Sequence, residues 1–200
     1  MNTIIEAPGM ATILPLSKRL KQATHAHHER VDQGIMALQP FASREGYMAF
    51  LKVQYRFQRH TASLYHDPAL AEWITDLPER CRFPAIKQDC EDLGVDTEAL
   101  DGPQGPEIAT LPEALGWLYV NEGSNLGAAF LLKYAAALEL TREFGARHLA
   151  PSDSGRGAHW RQFTAQLDAI ELTEEQQRIA IKGAQDAFAH VEALAATRMG

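Results

Sequence analysis

Cysteine is almost absent from this sequence: of its 200 residues only Cys81 and Cys90 carry a thiol, nine positions apart and without a C-x-x-C spacing. That scarcity excludes a disulfide framework, a zinc ribbon and a cysteine-ligated iron–sulfur cluster. Positive charge is not in excess either. Lys and Arg total 19 against 26 Asp and Glu, a formal net charge of -7, so no nucleic-acid partner is expected. The most apolar stretch, Ala114 to Leu140, is interrupted by Asn121, Glu122, Ser124, Asn125 and Lys133. Those groups would be costly against lipid, so the stretch predicts a buried helix and no membrane span. The first residues, MNTIIEAPGMATIL, lack a basic leader and put Glu6, Pro8 and Gly9 where an export signal needs an apolar core. A cytoplasmic protein is expected, with residues 1–14 as a flexible tail before one domain at 15–200. There is no alternating strand pattern, internal repeat or glycine-rich dinucleotide fingerprint.

What is present reads as an all-α protein, with 46% hydrophobic and 22% charged residues. Leu16, Leu20, Ala23, Val31, Ile35 and Leu38 recur at helical steps and predict a first helix from Pro15 to Leu38. Ser43 is placed to cap a second helix reaching Tyr65, where Asp67-Pro68 breaks it. A short helix at 68–76 and another from Pro78 to Leu93, disturbed at Pro84 and stopped by Gly94, follow. Residues 94–110 read as a loop. Thr110-x-x-Glu113 then opens a long helix to about Leu140, residues 145–157 form a loop, and 158–170 is helical. Thr173-x-x-Gln176 caps a last helix running to about Thr197.

Three features stand out from this helical background. The first is His25-Ala26-His27-His28-Glu29 on the first helix, since neutral imidazole is a common iron and zinc ligand. A helical wheel through Leu16, Leu20, Val31 and Ile35 puts His27 inside the apolar stripe, His28 at its edge and His25 outside. Periodicity alone therefore favours His27, and leaves open a multi-histidine zinc site or histidines of no function. Lys21 lies seven residues before His28, about 10 Å along the same face, a separation that suits a planar ligand with a metal centre and an acidic edge.

The second is Gly116, Gly123 and Gly127 in the long helix, which fall within about 40° of one another around its axis. Each interior glycine costs about 1 kcal/mol relative to alanine, so a compensating gain is expected. Either another helix packs closely on that face or a flat ligand approaches the backbone there. Ser124 and Asn125 sit beside it and can order water. The third is a local concentration of Arg142, Arg147, Arg156 and Arg161 against Glu143 and Asp153, with Lys18, Arg19, Lys21 and Arg30 near the histidines. Such surfaces receive carboxylates or an acidic redox partner.

Taken with four longer stretches, these features resemble the bacterial haem oxygenases of Gram-negative iron-acquisition systems. The stretches are ATHAHHERVD at 23–32, QPFASREGY at 39–47, LGWLYVNEGSNLGAAFLLK at 115–133 and FGARHLAPSDSGRGAHWRQF at 144–163. The resemblance extends from about Leu16 to the last helix. It implies an all-α fold with haem between a proximal and a kinked distal helix, and an enzyme that opens the ring to biliverdin with release of ferrous iron and carbon monoxide.

The same resemblance implies His28 as the proximal ligand of haem iron, and Gly123, Ser124, Asn125 and Gly127 as the catalytic distal segment. It implies Lys21 and Tyr119 as propionate contacts, in the combination found with alpha-meso cleavage. Glu29, Gln54, Arg82, His148 and Trp160 match family positions of a polar and water network, while a family histidine on the second helix is replaced by Gln58. Haem is then both substrate and cofactor, dioxygen is co-substrate, and a separate ferredoxin or reductase brings electrons, with no flavin or iron–sulfur cluster in the chain. The competing reading is a non-catalytic haem carrier or storage protein on the same scaffold.

Overall fold

In the computed structural model, residues 14–101 and 105–197 are described, and among them the regular structure is helical. Seven α-helices run in chain order: α1 Leu16–Ala37, α2 Arg44–Thr61, α3 Pro68–Ala71, α4 Phe83–Asp92, α5 Leu111–Ala135, α6 Arg156–Ala169 and α7 Glu174–Ala196. The predicted tail at 1–14 lies, but for Leu14, outside the described residues, as do Gly102 and Pro103 of the predicted loop.

Local chemistry sets most helix ends. Ser43 accepts a hydrogen bond from the Gly46 amide, Asp67 from those of Ala69 and Leu70, and Thr110 from that of Glu113. At α7 the full reciprocal box forms between Thr173 and Gln176. The start of α1 has no such residue. Instead Asp168 of α6 accepts from the Ser17 amide and hydroxyl, both at 2.7 Å, so a partner 151 positions away does the capping.

The long helix predicted from Pro78 is two elements, a 3-10 turn at Pro78–Arg80 and α4 from Phe83. Pro84 sits in the first turn of α4, where its missing N–H costs nothing, so it starts a helix and does not disturb one. Gly94 closes this region with a φ of 64°.

The helices α5 and α7 form the most extensive packing, and α1 lies along α7. Close approach of α5 and α7 depends on small residues. A β-carbon on Gly116 would collide with the Ala180 carbonyl and Ala184 amide of α7, and one on Gly183 with the Glu113 carbonyl of α5. Elsewhere in the core as well as on α5, Trp117, Leu118, Phe50, Leu51, Tyr47 and Phe163 are buried, and burial of each large side chain stabilises by about 1.5–3 kcal/mol. Among the described residues no helix is long and apolar enough to cross a membrane.

Candidate active site

A cavity of about 750 Å³ opens between α1 and the second half of α5, with α2, α4, α6 and α7 behind it. That volume lies in the range of cofactor sites. On the α1 side its wall is Thr24, His28, Val31 and Ile35, a single helical face. His28 presents its ring to the cavity. Its Nδ1 lies 3.1 Å from Asp32 Oδ2, one turn on, and the ring edge meets Phe188 with centroids 5.9 Å apart. A carboxylate on Nδ1 leaves Nε2 free to act as a ligand.

The helical wheel favoured His27, but the cavity is lined by its neighbour. His27 does not line the cavity and is half-buried, whereas His28 lines it. The apolar stripe merged two faces: Leu16 and Leu20 are core alone, while Val31 and Ile35 also line the cavity. Their average direction falls between the two. Lys21 and His25 lie at the edge of the cavity, and Glu29 does not line it, pairing instead with His25 at 3.5 Å. Asp32 was not among the expected site residues, although a carboxylate four positions after a histidine is a readable signal. Among the described residues no group of three or more His, Cys, Asp or Glu is arranged to hold a metal ion, so the multi-histidine zinc alternative lacks its ligand set.

Across the cavity, the three glycines of α5 divide. Gly116 is the helix-packing glycine just described, so the shared glycine face expected from the sequence ends there. Gly123 and Gly127 face the cavity. A β-carbon at Gly127 would meet nothing within 4 Å, and one at Gly123 would touch only the Trp160 ring at 3.6 Å. Ser124 and Asn125 also line the cavity, with Asn125 buried. Tyr119 is buried at the same wall, 5.4 Å from Trp160 between ring centroids, and burial pushes its hydroxyl up to about 12.

The inner end is polar. Arg82 donates to the carbonyls of His148 and Ala150, both at 2.7 Å, and its burial lowers the guanidinium below its ordinary value. It thereby pins the turn that carries His148. His148 is itself 4% exposed, with Nδ1 2.7 Å from Asp89 and Nε2 lacking a partner among the described residues. Gln54 and Gln58 complete this end.

Immediately before Gly123, Glu122 is buried in an ionic cluster. It accepts from Tyr65 at 2.9 Å and from Arg80 at 3.0 Å, while Arg80 also reaches Asp76 at 2.7 Å and covers the Phe163 ring. This pairing joins residues 42 positions apart and had no sequence signal.

The predicted basic surfaces are largely spent on internal partners. Arg19 pairs with Glu174, and Arg30 with Glu192. Arg147 is held by Asp89 and Asp92, and Arg156 donates to the carbonyls of Asn125 and Leu149. Lys18 and Lys21 remain exposed near the histidines.

The sequence is 47% identical over 172 residues to "Heme oxygenase PigA" of Pseudomonas aeruginosa, covering 86% of this chain and 87% of that protein. A heme oxygenase of Xanthomonas campestris is 32% identical over 60% of this chain and 74% of its own. The fold superposes on the NO- and CO-bound heme oxygenase of Neisseria meningitidis with a TM-score of 0.87 at 42% identity, covering 93% and 92% of the two chains. With the Heme oxygenase family pattern matching residues 14–196, the chain belongs to the haem oxygenase family.

Proposed function

We propose that this protein binds one haem in the cavity, where His28 Nε2 would hold the iron, and cleaves it oxidatively to biliverdin, ferrous iron and carbon monoxide. One observation carries the reading: across one largely apolar cavity from a histidine with a free Nε2, helix α5 presents bare backbone at Gly123 and Gly127. The bound haem supplies both the iron that activates dioxygen and the ring that is opened.

The chain's own residues bind, orient and exclude. Asp32 orients the His28 ring through Nδ1 and leaves Nε2 for the iron. Gly123 and Gly127 put backbone in place of side chain on the wall opposite His28, which would leave room above a bound ring. Lys21 and Tyr119 meet the propionates and set the in-plane orientation, which supports the alpha isomer of biliverdin as product. Arg82, His148, Trp160, Ser124 and Asn125 form the polar surroundings; Glu29, outside the lining, has no direct part.

Reducing equivalents come from an external ferredoxin or reductase, for which exposed Lys18 offers a basic contact beside the histidines. Two unpaired thiols, Cys81 and Cys90, support a cytoplasmic setting, where the released iron would serve acquisition. A haem carrier of the same fold is disfavoured by the bare distal backbone, since a carrier gains by closing the iron with a second ligand.

The test is a titration of the purified protein with ferric haem, followed by reductant under air with catalase present. Loss of the haem band with formation of alpha-biliverdin and carbon monoxide is expected. Haem that binds and stays intact would convert the reading to a carrier.

A further inference from the structure

The inner wall of the cavity has a hydrogen-bond polarity, and two buried chains of hydrogen bonds set it. The first begins at the Phe57 carbonyl, which accepts from the Thr61 hydroxyl at 3.1 Å. With its hydrogen committed, Thr61 Oγ1 accepts from Asn121 Nδ2 at 2.7 Å. Asn121 must then present Oδ1 to Gln58, which donates Nε2 to it. Gln58 Oε1 is left over, buried and without a partner among the described residues, in a side chain that lines the cavity. The Asn121 backbone extends the effect: its carbonyl accepts from the Ser124 hydroxyl at 2.7 Å, so Ser124 offers only lone pairs to the cavity.

The second chain is independent of the first. Asp89, fully buried, accepts from the amides of Arg147 at 2.9 Å and His148 at 3.0 Å, and from the Arg147 guanidinium at 3.2 Å. A carboxylate so engaged has no hydrogen to give, so its contact with His148 Nδ1 at 2.7 Å is donated by the ring. In the neutral imidazole Nε2 is then the bare nitrogen, buried, unpartnered among the described residues and lining the same cavity. Against these three acceptors, Asn125 Nδ2 is an unpartnered buried donor on the wall.

We propose that Asn121 and Asp89 are positioning residues that fix Gln58, Ser124 and His148 as an acceptor wall, which holds water or another small neutral donor by its hydrogens. The role of the wall rests on the haem reading above. A water held by one hydrogen has its second hydrogen free for an acceptor above the bound ring.

Nitrogen-15 and proton NMR of the haem-free protein test the polarity. In the wild type, with the pH raised until the imidazole is neutral, His148 should show a protonated Nδ1 and a bare Nε2, and the Gln58 side-chain amide should exchange with solvent about tenfold more slowly than that of Gln54. Asn121→Leu should abolish the Gln58 protection and leave the His148 nitrogens unchanged. Asn121→Asp, which keeps an acceptor for Gln58, should retain it, and it decides the matter with the wild-type spectra if the leucine variant does not fold. A protonated Nε2 on neutral His148, or a Gln58 amide as labile as that of Gln54, overturns the proposal. Failure of the wild type to bind ferric haem overturns the underlying haem reading instead, a separate result from the NMR outcome.

Discussion

Between Ala114 and Glu122, α5 is buried at every position, while from Gly123 to Ala135 the same helix leaves Leu126, Phe130 and Tyr134 exposed. Composition does not account for the change, since both halves are apolar and both contain glycine. What differs is the surface opposite. The first half meets α7 at backbone distance and ends in the Arg80–Glu122 cluster; the second meets a cavity. A helix glycine therefore has no fixed meaning, because its role depends on what a β-carbon would strike.

Substitution on each half gives the widest separation. Gly116→Ala forces a β-carbon into the α7 backbone, which has no rotamer to change, and should cost about 3 kcal/mol or more. Thermal or denaturant unfolding of the haem-free protein reads this directly, and a loss under 1 kcal/mol would show that α7 moves aside easily. On the opposite wall, His28→Ala should leave stability within about 0.5 kcal/mol, because the side chain is 62% exposed. Haem affinity should fall by more than about a hundredfold, beyond the range for losing only an outer partner of a ligand. Unchanged affinity would move the ligand to His25, the other histidine of α1 that lines the cavity.

Gly127→Ala should do the reverse of Gly116→Ala. With open space around it, the added methyl should stabilise the haem-free protein by up to about 1 kcal/mol and slow haem turnover. A variant that is more stable and equally active would show that the bare distal face is not needed.

The smallest effect concerns acid. His190 packs with His60 and Trp117 behind the buried half, and burial, assisted by His60, pulls it down to about 4. The unfolded chain then binds the extra proton between about pH 6.5 and 4, so stability is lost as pH falls through that window. Because His190 is only partly enclosed, the loss between pH 7 and pH 5 should be about 1 kcal/mol or less. It should be smaller in His190→Gln, as followed by unfolding midpoints at the two pH values.

The features legible in the sequence were those decided within a few residues. Ser43, Thr110 and Thr173 marked three helix starts because a capping side chain reaches only its own first turn. The cap on α1 was invisible because Asp168 supplies it from another helix. The same limit separates Gly116 from Gly127 and hides the Arg80–Glu122 pair, since each depends on a distant segment. For the histidines, one wheel could not reveal that α1 has a core face and a cavity face side by side. The family resemblance, which carries the outcome of such long-range packing, pointed to His28 where periodicity pointed to His27.

The exposed Met36, Leu126, Phe130 and Tyr134 around the cavity have a calorimetric consequence. A flat apolar ligand seated among them removes that surface, together with the inner wall, from water in a single event. Association should therefore have a markedly negative heat-capacity change, with an enthalpy that grows more favourable on warming.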